Sequence, residues 1–434
     1  MGNLPGHWRL LPFIVLLIAG LFAAEFATGA EQRFPRPEFQ TEYSFPDVQD
    51  PAPRATWTKH LDVAVLALSL VAAAWLGLRT RSRSGLVWIA ILGVVYFGFW
   101  RRGCVCAVGS VQNVSQALAD PAVGVAWTTM LFFALPVVFA VYVGRSFCAG
   151  VCPLGAIQDL VLIRPVRVPA AIDEPLRLLR HLYLGLGILL AATATGYLIC
   201  RMDPFIAIFR FSGPTGPVIF GLGLLAIATM IGRPYCRYLC PFGVLLGWGA
   251  RISRRHMTIT PDDCIHCGLC SDACPFNAIH APVESKWGES RAHGIRRLAH
   301  LVILAPLIIL AAAWIGHRLT PRLVWLHQDT RILQELRTSQ PETPLSAEGQ
   351  GYVDGGGTVE ELTAQVNSRR HHLALGGWFV GAFIGLAAAS RAIEVSTRHP
   401  RKDYWIERSR CVSCGRCFAA CPREQVRRRG LQGE

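Results

Sequence analysis

Eight cysteines of the chain fall into two runs with the same spacing, C-x2-C-x2-C-x3-C-P. They are Cys264, Cys267, Cys270 and Cys274 in the first run, and Cys411, Cys414, Cys417 and Cys421 in the second. Three closely spaced thiolates can converge on one [4Fe–4S] cube, while the fourth, just before a proline, reaches a neighbouring cube. Zinc sites more often show two separated C-x2-C pairs. The runs therefore predict iron–sulfur ligation.

The position of the fourth cysteine predicts how the two runs share their ligands. One cube would be held by Cys264, Cys267, Cys270 and Cys421, and the other by Cys411, Cys414, Cys417 and Cys274. A glycine follows the second cysteine of each run, at Gly268 and Gly415, and would let the backbone pass close to inorganic sulfide. This sharing requires both runs to lie on the same side of any membrane that the chain crosses.

A second motif, C-x3-C-P-x-G, also occurs twice. Its cysteines are Cys148 and Cys152 in the first copy, and Cys236 and Cys240 in the second. Four thiols at one membrane surface would suffice for a third cluster or a metal ion. The alternative is that cysteines four residues apart pack as small apolar side chains at helix ends. We favour a metal-binding or redox role, because clustered free cysteines commonly have a function.

Three cysteines remain outside these motifs: Cys104, Cys106 and Cys200. The segment 102–113 resembles 145–159 and indicates a diverged internal repeat. The topology derived below places all three cysteines at the outer surface. They would form a disulfide in an oxidising compartment, serve as a redox relay to an external partner, or be buried and inert.

The composition indicates which elements hold these motifs. The 434 residues are 52% hydrophobic and only 17% charged, against about 25% charged in soluble domains. Segments near the ~20 residues that cross a bilayer predict eight transmembrane helices. They run approximately over 10–28, 61–79, 85–101, 127–144, 180–199, 216–232, 299–316 and 373–391. The first could instead be a cleaved signal peptide, because Thr28, Gly29 and Ala30 resemble a cleavage site.

Basic residues beside these segments set their orientation. Placing the N-terminus inside leaves most arginine clusters inside, with Arg101 and Arg102 as the exception. Two crossings, at 299–316 and 373–391, separate the cysteine runs, so both runs lie inside. The formal charge of +14 follows the same distribution and therefore does not predict nucleic-acid binding.

These observations predict an all-α integral membrane protein of about eight transmembrane helices, with a small α+β ferredoxin-like cytoplasmic module assembled from the two runs. The expected domains begin with an N-terminal anchor or signal segment at 1–30 and a short external segment at 31–60. A membrane core with both C-x3-C-P motifs follows at 61–256, and a first ferredoxin half at 257–297. The chain then forms a helical hairpin at 298–393, with an external loop at 317–372, and ends in a second ferredoxin half with a basic tail at 394–434.

The combination of paired cysteine runs and two C-x3-C-P motifs after helices resembles the membrane polyferredoxin family that includes NosR, NirI and the NapH-type quinol-oxidising subunits. The resemblance spans roughly residues 60–425. It implies electron transfer between a quinol or cytoplasmic donor and a periplasmic acceptor. NosR-like proteins carry a large external flavin domain, whereas this chain has only residues 31–60 there and no Ser/Thr-Gly-Ala-Thr attachment sequence. A covalent flavin is therefore not expected.

Two hypotheses for the function follow. The chain would be an electron-transfer component in the bacterial inner membrane, relaying electrons between a cytoplasmic or quinol donor and a membrane or periplasmic acceptor. Alternatively, it would be an accessory maturation or redox-sensing protein for a periplasmic metalloenzyme. Its cofactors would be two [4Fe–4S] clusters, with a further cluster at the C-x3-C-P cysteines and quinone as additional candidates. No nucleophile or acid–base constellation is evident, so an electron-transfer subunit is favoured over a stand-alone enzyme.

Overall fold

The computed structural model describes residues 56–103, 106–259, 264–282, 291–338, 345–397 and 403–430. The predicted first segment at 10–28, residues 31–55 and Cys104 lie outside these ranges. The helices of the membrane core are α1 (Thr56–Leu78), α2 (Arg83–Gly93, continued by a π-helical stretch Val94–Trp100), α3 (Ala107–Ala119), α4 (Trp127–Val143), a π-helical turn Phe147–Val151, α5 (Pro153–Leu160), α6 (Ala170–Leu176), α7 (Leu179–Ala192), α8 (Leu198–Arg201), α9 (Ile206–Arg210), α10 (Thr215–Ala228), α11 (Pro234–Tyr238) and α12 (Phe242–Arg251).

The remaining described residues form a helical hairpin and a small cysteine-rich module. In chain order these elements are α13 (Leu269–Asp272), β1 (Ile279–His280), α14 (Arg291–Leu319), a 3-10 helix Thr320–Leu326, α15 (Gln328–Thr338), α16 (Ala347–Asp354), α17 (Val359–Ser396), β2 (Trp405–Ile406), α18 (Arg416–Ala420) and α19 (Pro422–Gly430).

Five stretches of the described residues are helical, long and apolar enough to cross a membrane. They are Trp57–Leu78, Arg83–Trp100, Ala170–Ala192, His293–Leu326 and Val359–Ser396. The predicted segments at 127–144 and 216–232 are apolar helices too, but α4 and α10 are shorter than a full span. The membrane class is therefore confirmed, whereas a count of eight spans is not.

The hairpin of α14 and α17 is packed through glycines. A Cβ atom on Gly381 would lie 2.1 Å from the carbonyl oxygen of Ala312, and one on Gly316 would lie 2.2 Å from that of Gly377. Since apolar side chains gain little from associating in lipid, close backbone approach at small residues is the usual way to hold membrane helices together. The hairpin thus returns the chain to the side from which it left.

The segment predicted as an external loop, 317–372, is mostly helical. It contains the 3-10 helix, α15, α16 and the start of α17. Ile332 and Leu333 of α15 pack with Leu362 and Val366 of α17 in a separate apolar cluster. These residues recur at helical spacing, so their burial drives helix formation in place of an open loop.

Both cysteine runs belong to one small module. Its two-stranded antiparallel sheet pairs β1 of the first run with β2 of the second, with Ile279 opposite Ile406. Met257, Phe276, Val412 and Phe418 form its apolar core. Each strand is only two residues long, so the two halves associate as predicted but a full α+β ferredoxin fold is not confirmed.

Candidate iron–sulfur sites

The first cavity of the cysteine-rich module is lined by four of the predicted ligands. They are Cys264, Cys267, Cys270 and Cys421, the set that the spacing assigns to one cube. Cys267 is exposed, whereas the other three are partly buried. This cavity therefore lies on the solvent side of the module.

The second cavity contains the other predicted set. It is lined by Cys274, Cys411, Cys414 and Cys417, and Cys417 also lines the first cavity. Gly268 and Gly415 both adopt positive φ, +79° and +73°, where an L side chain would be strained. The structure brings each predicted set together, although the two runs, at 264–274 and 411–421, are far apart in the chain. The ligand roles themselves stay a prediction.

The chemistry of these thiols fits a cluster. Burial raises the pKa of Cys270 to about 11 and that of Cys411 to about 12. Without metal such thiols are neutral, and cluster binding would release their protons and hold thiolates in place. Four thiolates around each cavity are the donor set that a [4Fe–4S] cube takes.

The four C-x3-C-P cysteines meet beneath this module. Cys148 lies in the π-helical turn after α4, and Cys152 precedes α5. Cys236 lies in α11, and Cys240 just before α12. A Cβ atom on Gly155 of the first motif would lie 3.5 Å from Cys236 Sγ of the second, and Arg233 donates to the backbone oxygen of Ala149 at 3.2 Å. The two motifs are thus placed side by side, as the hypothesis of a shared site requires.

Two polar side chains point at the sulfurs of this site. The guanidinium group of Arg145 lies 3.6 Å from Cys148 Sγ, and Gln158 Nε2 lies 3.5 Å from Cys236 Sγ. Hydrogen bonds to cluster sulfur are one of the means by which a protein sets a reduction potential. Burial raises the pKa of Cys236 to about 11 even though Arg233 acts in the opposite direction.

Cys148 connects the membrane site with the module. Its side chain packs against the membrane core and also against the apolar cluster that contains Cys411, Cys414 and Cys417. Arg145, which contacts Cys148, donates to the backbone oxygen of Ser409 at 3.1 Å. The C-x3-C-P site and the cysteine-rich module therefore adjoin through Cys148 and Arg145.

A buried ion network around Asp159 fastens the two parts. Its carboxylate lies 2.6 Å from Arg83, 3.4 Å from Arg233 and 3.3 Å from Arg416, which precedes Cys417. Burial by itself would raise the pKa of Asp159, but the guanidinium groups of Arg233, Arg83 and Arg416 hold it well below its usual range. Arg83 also donates to the backbone oxygen of Cys414 at 2.9 Å.

A second network around Asp173 has the same design. Its carboxylate accepts from Arg237 at 2.7 Å and from Arg177 at 3.0 Å. These two arginines donate in turn to the backbone oxygens of Pro275 and Phe276, beside Cys274. Each cysteine run is thus clamped to the membrane core by a buried aspartate with its arginines.

Removing the charge of Asp159 is expected to weaken the clamp. Asp159→Asn would leave three guanidinium groups without their buried counter-charge, a change that costs about 3–5 kcal/mol. Loss of cluster absorbance on heating the purified protein should occur at clearly lower temperature. Asp272→Asn is the matched control, because Asp272 pairs with Arg167 at the exposed surface, where such pairs contribute less than about 1 kcal/mol. Equal melting of both variants would contradict the role assigned to Asp159.

These charged residues were missed in the sequence, although a signal was present. Arg145 and Arg233 stand three residues before the first cysteine of each C-x3-C-P motif, and both are buried. Arg233 donates to the backbone oxygens of Cys148 and Ala149 in the other motif. The repeated R-x2-C-x3-C-P pattern therefore marks arginines that join the two motifs.

The structure describes two of the three remaining cysteines. Cys200 is exposed, whereas Cys106 is partly buried and packs against the membrane core. Cys106 is held there because α3 packs inward with Ala107, Val108 and Val111 buried. The membrane face and the role of these cysteines stay a prediction. Cys106 and Cys200 are not joined by a disulfide.

Within the described residues, no three His, Cys, Asp or Glu side chains are close enough together to hold a single metal ion. This applies to the four cysteines of the two C-x3-C-P motifs and to the cysteines that line the two cavities of the module. Ligands of a multinuclear cluster are spread around several irons and stand further apart than those of one ion.

Two protein families match the chain, and both are described as a 4Fe-4S binding domain. The first matches residues 125–168 and 212–260, the segments with the C-x3-C-P motifs. The second matches residues 257–280 and 404–427, the segments with the two cysteine runs. Iron–sulfur binding is therefore supported for both groups of cysteines, while the number of clusters is left open.

Curated relatives agree with these matches. The putative electron transport protein YccM of Escherichia coli is 26% identical over 245 residues, covering 51% of this chain and 65% of YccM. Protein NirI of Paracoccus denitrificans is 27% identical, covering 51% of this chain and 36% of NirI. The ferredoxin-type protein NapH of Haemophilus influenzae is 28% identical, covering 37% of this chain and 59% of NapH. The chain thus spans less than two thirds of the length of each.

No solved structure matches the chain at a significant level. The assignment therefore rests on the sequence relatives. The chain also matches two iron–sulfur domain families and contains helices long and apolar enough to cross a membrane. Its homologues are membrane polyferredoxin-type 4Fe–4S proteins, in agreement with the resemblance that the cysteine motifs indicate.

Proposed function

We propose that the protein is an iron–sulfur electron relay of the bacterial inner membrane, with both cysteine runs on the cytoplasmic face. It would carry electrons between a cytoplasmic or quinol donor and a membrane or periplasmic acceptor. The observation that carries the proposal is the position of Cys148, which packs both on the membrane core and on the apolar core of the cysteine-rich module, which includes Cys274. The name of the Escherichia coli relative, an electron transport protein, supports the same role.

The three cysteine groups lie in series. The first cavity is nearest to solvent through Cys267, the second shares Cys417 with the first, and the C-x3-C-P site adjoins the second through Cys148. Each cluster would supply a one-electron carrier at its position. A soluble partner would meet the first, and a membrane partner the last. Clusters at one face cannot span ~30 Å of hydrocarbon, so a quinone or a further site is needed for the outward step.

A cavity of about 240 Å³ suits the quinone. It lies between α7, α12 and α17 and combines Trp248 and Phe383 with Glu174, Arg180 and Glu394. Val244, which lines the cavity, lies in the first turn of α12, directly after Cys240 and Pro241, so the cavity adjoins the C-x3-C-P site. A quinol oxidised here would release two electrons, one at a time, to that site. Its two protons would pass to the carboxylates of Glu174 and Glu394.

Filling this cavity should slow electron entry from quinol. Ser390→Trp places an indole at a residue that lines it. We expect reduction of the clusters by a short-chain quinol, followed by stopped-flow absorbance in proteoliposomes, to slow by about tenfold or more, which corresponds to ~1.4 kcal/mol. Reduction by dithionite from the aqueous phase should be unchanged.

The matched control is Leu375→Trp on the same helix, because Leu375 is exposed and does not line the cavity. It should reduce at the wild-type rate. If both variants behave as wild type, quinol does not enter here. If no quinol or soluble reductant reduces the wild-type clusters on a useful timescale, the relay itself is wrong and a sensing role is favoured.

A further inference from the structure

The membrane core contains a second arrangement that repeats the C-x3-C-P site with different ligands. The repeat relating 102–113 to 145–159 aligns Cys106 with Cys152 and Gln112 with Gln158. A second repeat relates CRMDPF at 200–205 to CRYLCPF at 236–242. In it Cys200 corresponds to Cys236, and Asp203 takes the place of Cys240.

The contacts follow the same correspondence. A Cβ atom on Gly155 would lie 3.5 Å from Cys236 Sγ, and one on Gly109 would lie 3.1 Å from Cys200 Sγ. In each case a glycine three residues after a helix-capping cysteine faces the sulfur of the other motif. Each sulfur thus lies against a glycine of the other motif, in ordinary contact at Gly155 and in a tight one at Gly109, where a side chain would crowd the sulfur.

The two glutamines show the same pattern and one difference. Gln158 Oε1 accepts from the backbone N–H of Tyr235 at 3.0 Å, and Gln112 Oε1 accepts from that of Cys200 at 3.0 Å. Both side chains are fully buried. Gln158 Nε2 is satisfied by Leu154 O and Cys236 Sγ, whereas Gln112 Nε2 has no partner. A buried donor without an acceptor is costly, so an acceptor is expected beside Cys200.

Asp203 is the third residue of this arrangement, beside Cys106 and Cys200. Its side chain is 4% exposed, and its Oδ1 accepts from the backbone N–H groups of Phe205 at 2.9 Å and Ile206 at 3.3 Å. Cys200 lies against the first turns of α3, next to Gly109 and Gln112, and Cys106 caps the start of that helix. Asp203 follows Cys200 by three residues, so two thiols and a carboxylate belong to the same region of the membrane core as the unpaired amide of Gln112.

We propose that Cys106, Cys200 and Asp203 hold a second intramembrane iron–sulfur cluster, bound by two thiolates and one carboxylate, as the counterpart of the four-cysteine site. Thiolate and carboxylate are both ligands that iron accepts, and the bridging sulfide would accept the free N–H of Gln112.

This inference rests on the proposed relay and gives it an outward step. Cys106 packs on the same apolar core that includes Cys152 and Cys240 of the four-cysteine site, so both sites belong to the membrane core. One electron would pass at a time, oxidising the four-cysteine site and reducing the cluster at Asp203, with no bond made or broken. The exposed Cys200 marks the end of this path nearest to an outer acceptor.

The test is iron and sulfide analysis of the full chain purified anaerobically, together with EPR of the reduced protein. Cys200→Ala and Asp203→Asn should each lose the same amount of iron, at least about two atoms per chain, with the signals of the two cubes retained. Asparagine keeps the helix-capping hydrogen bonds, so this loss would not reflect misfolding. Asp203→Cys, which restores the residue found in the other motif, should keep the iron and change the EPR spectrum and midpoint potential.

Asp120→Asn is the matched control, because Asp120 is an exposed capping residue at the end of α3; its iron content should equal that of wild type. Unchanged iron in Cys200→Ala and Asp203→Asn would overturn the proposal, as would a Cys106–Cys200 disulfide in the freshly purified protein. In either case the cubes and their reduction by quinol would be unaffected, so the relay would be judged separately.

Discussion

Replacing Cys148 and Cys236 together by serine is expected to stop electron exchange between quinol and the two cubes while leaving the cubes in place. Cys148 packs on the apolar core of the module, which includes Cys274 of the second cavity, and Cys236 accepts the hydrogen bond from Gln158. Without these sulfurs, the step between the membrane and the module has no carrier. We expect quinol-driven reduction to slow by at least about a hundredfold, or ~2.7 kcal/mol of activation free energy.

The measurement is stopped-flow absorbance of the protein in proteoliposomes, with iron content determined on the same sample. Ser115→Ala is the control, because its hydroxyl group bonds only to the backbone oxygen of Val111 within its own helix. Its reduction rate should equal that of wild type. Wild-type rates in the double variant would show that electrons reach the cubes without the C-x3-C-P site.

Replacing Cys414 by alanine is expected to remove one cube and spare the other. Cys414 lines the second cavity with Cys274, Cys411 and Cys417, and a cube that loses one of four thiolates is held poorly. Iron should fall by about four atoms per chain from a total of about eight in the two cubes. One of the two reduced-cluster EPR signals should disappear.

Cys267→Ala is the matched variant for the first cavity. Cys267 is exposed and lines that cavity with Cys264, Cys270 and Cys421. It should remove a similar amount of iron but eliminate the other EPR signal. Loss of the same signal in both variants would mean that the two cavities do not hold separate cubes, and the ligand sharing predicted from the spacing would then be wrong.

The sharing of ligands between the two runs was accessible from sequence because it depends on short-range geometry. Three thiolates within seven residues can only converge locally, and a fourth before proline must point away. The structure accordingly brings Cys421 to the first set and Cys274 to the second, and pairs Ile279 with Ile406. Both depend on the α14–α17 hairpin, whose apolar segments were also evident.

The buried charges were not accessible in the same way. Asp159 and Asp173 look like ordinary polar residues in sequence, because their arginine partners Arg416 and Arg237 are distant in the chain or on another helix. Only tertiary packing shows that these carboxylates are enclosed. The role proposed for Asp203 was not accessible for the same reason, since it depends on α3 folding inward and on alignment with a motif that lacks its carboxylate.

The lengths of the helices were the other feature that could not be predicted from the sequence. The apolar runs at 127–144 and 216–232 are evident in sequence, but α4 ends at Val143 and α10 at Ala228, short of a full span. Each is followed by one of the C-x3-C-P motifs. The chain bends back into the core there, as the packing of Gly150 against Ala90 illustrates. Hydropathy alone does not distinguish a complete crossing from a shorter helix followed by such a turn.

The central claim is that this membrane protein holds reducible iron–sulfur clusters in a continuous series. It is tested most directly by anaerobic purification of the full chain, with iron, sulfide and zinc analysis and EPR after addition of a quinol analogue. We predict at least about eight irons per chain with matching sulfide, no stoichiometric zinc, and EPR signals of reduced [4Fe–4S] clusters that disappear on reoxidation. Zinc in place of iron, or clusters that neither quinol nor dithionite can reduce, would contradict the account.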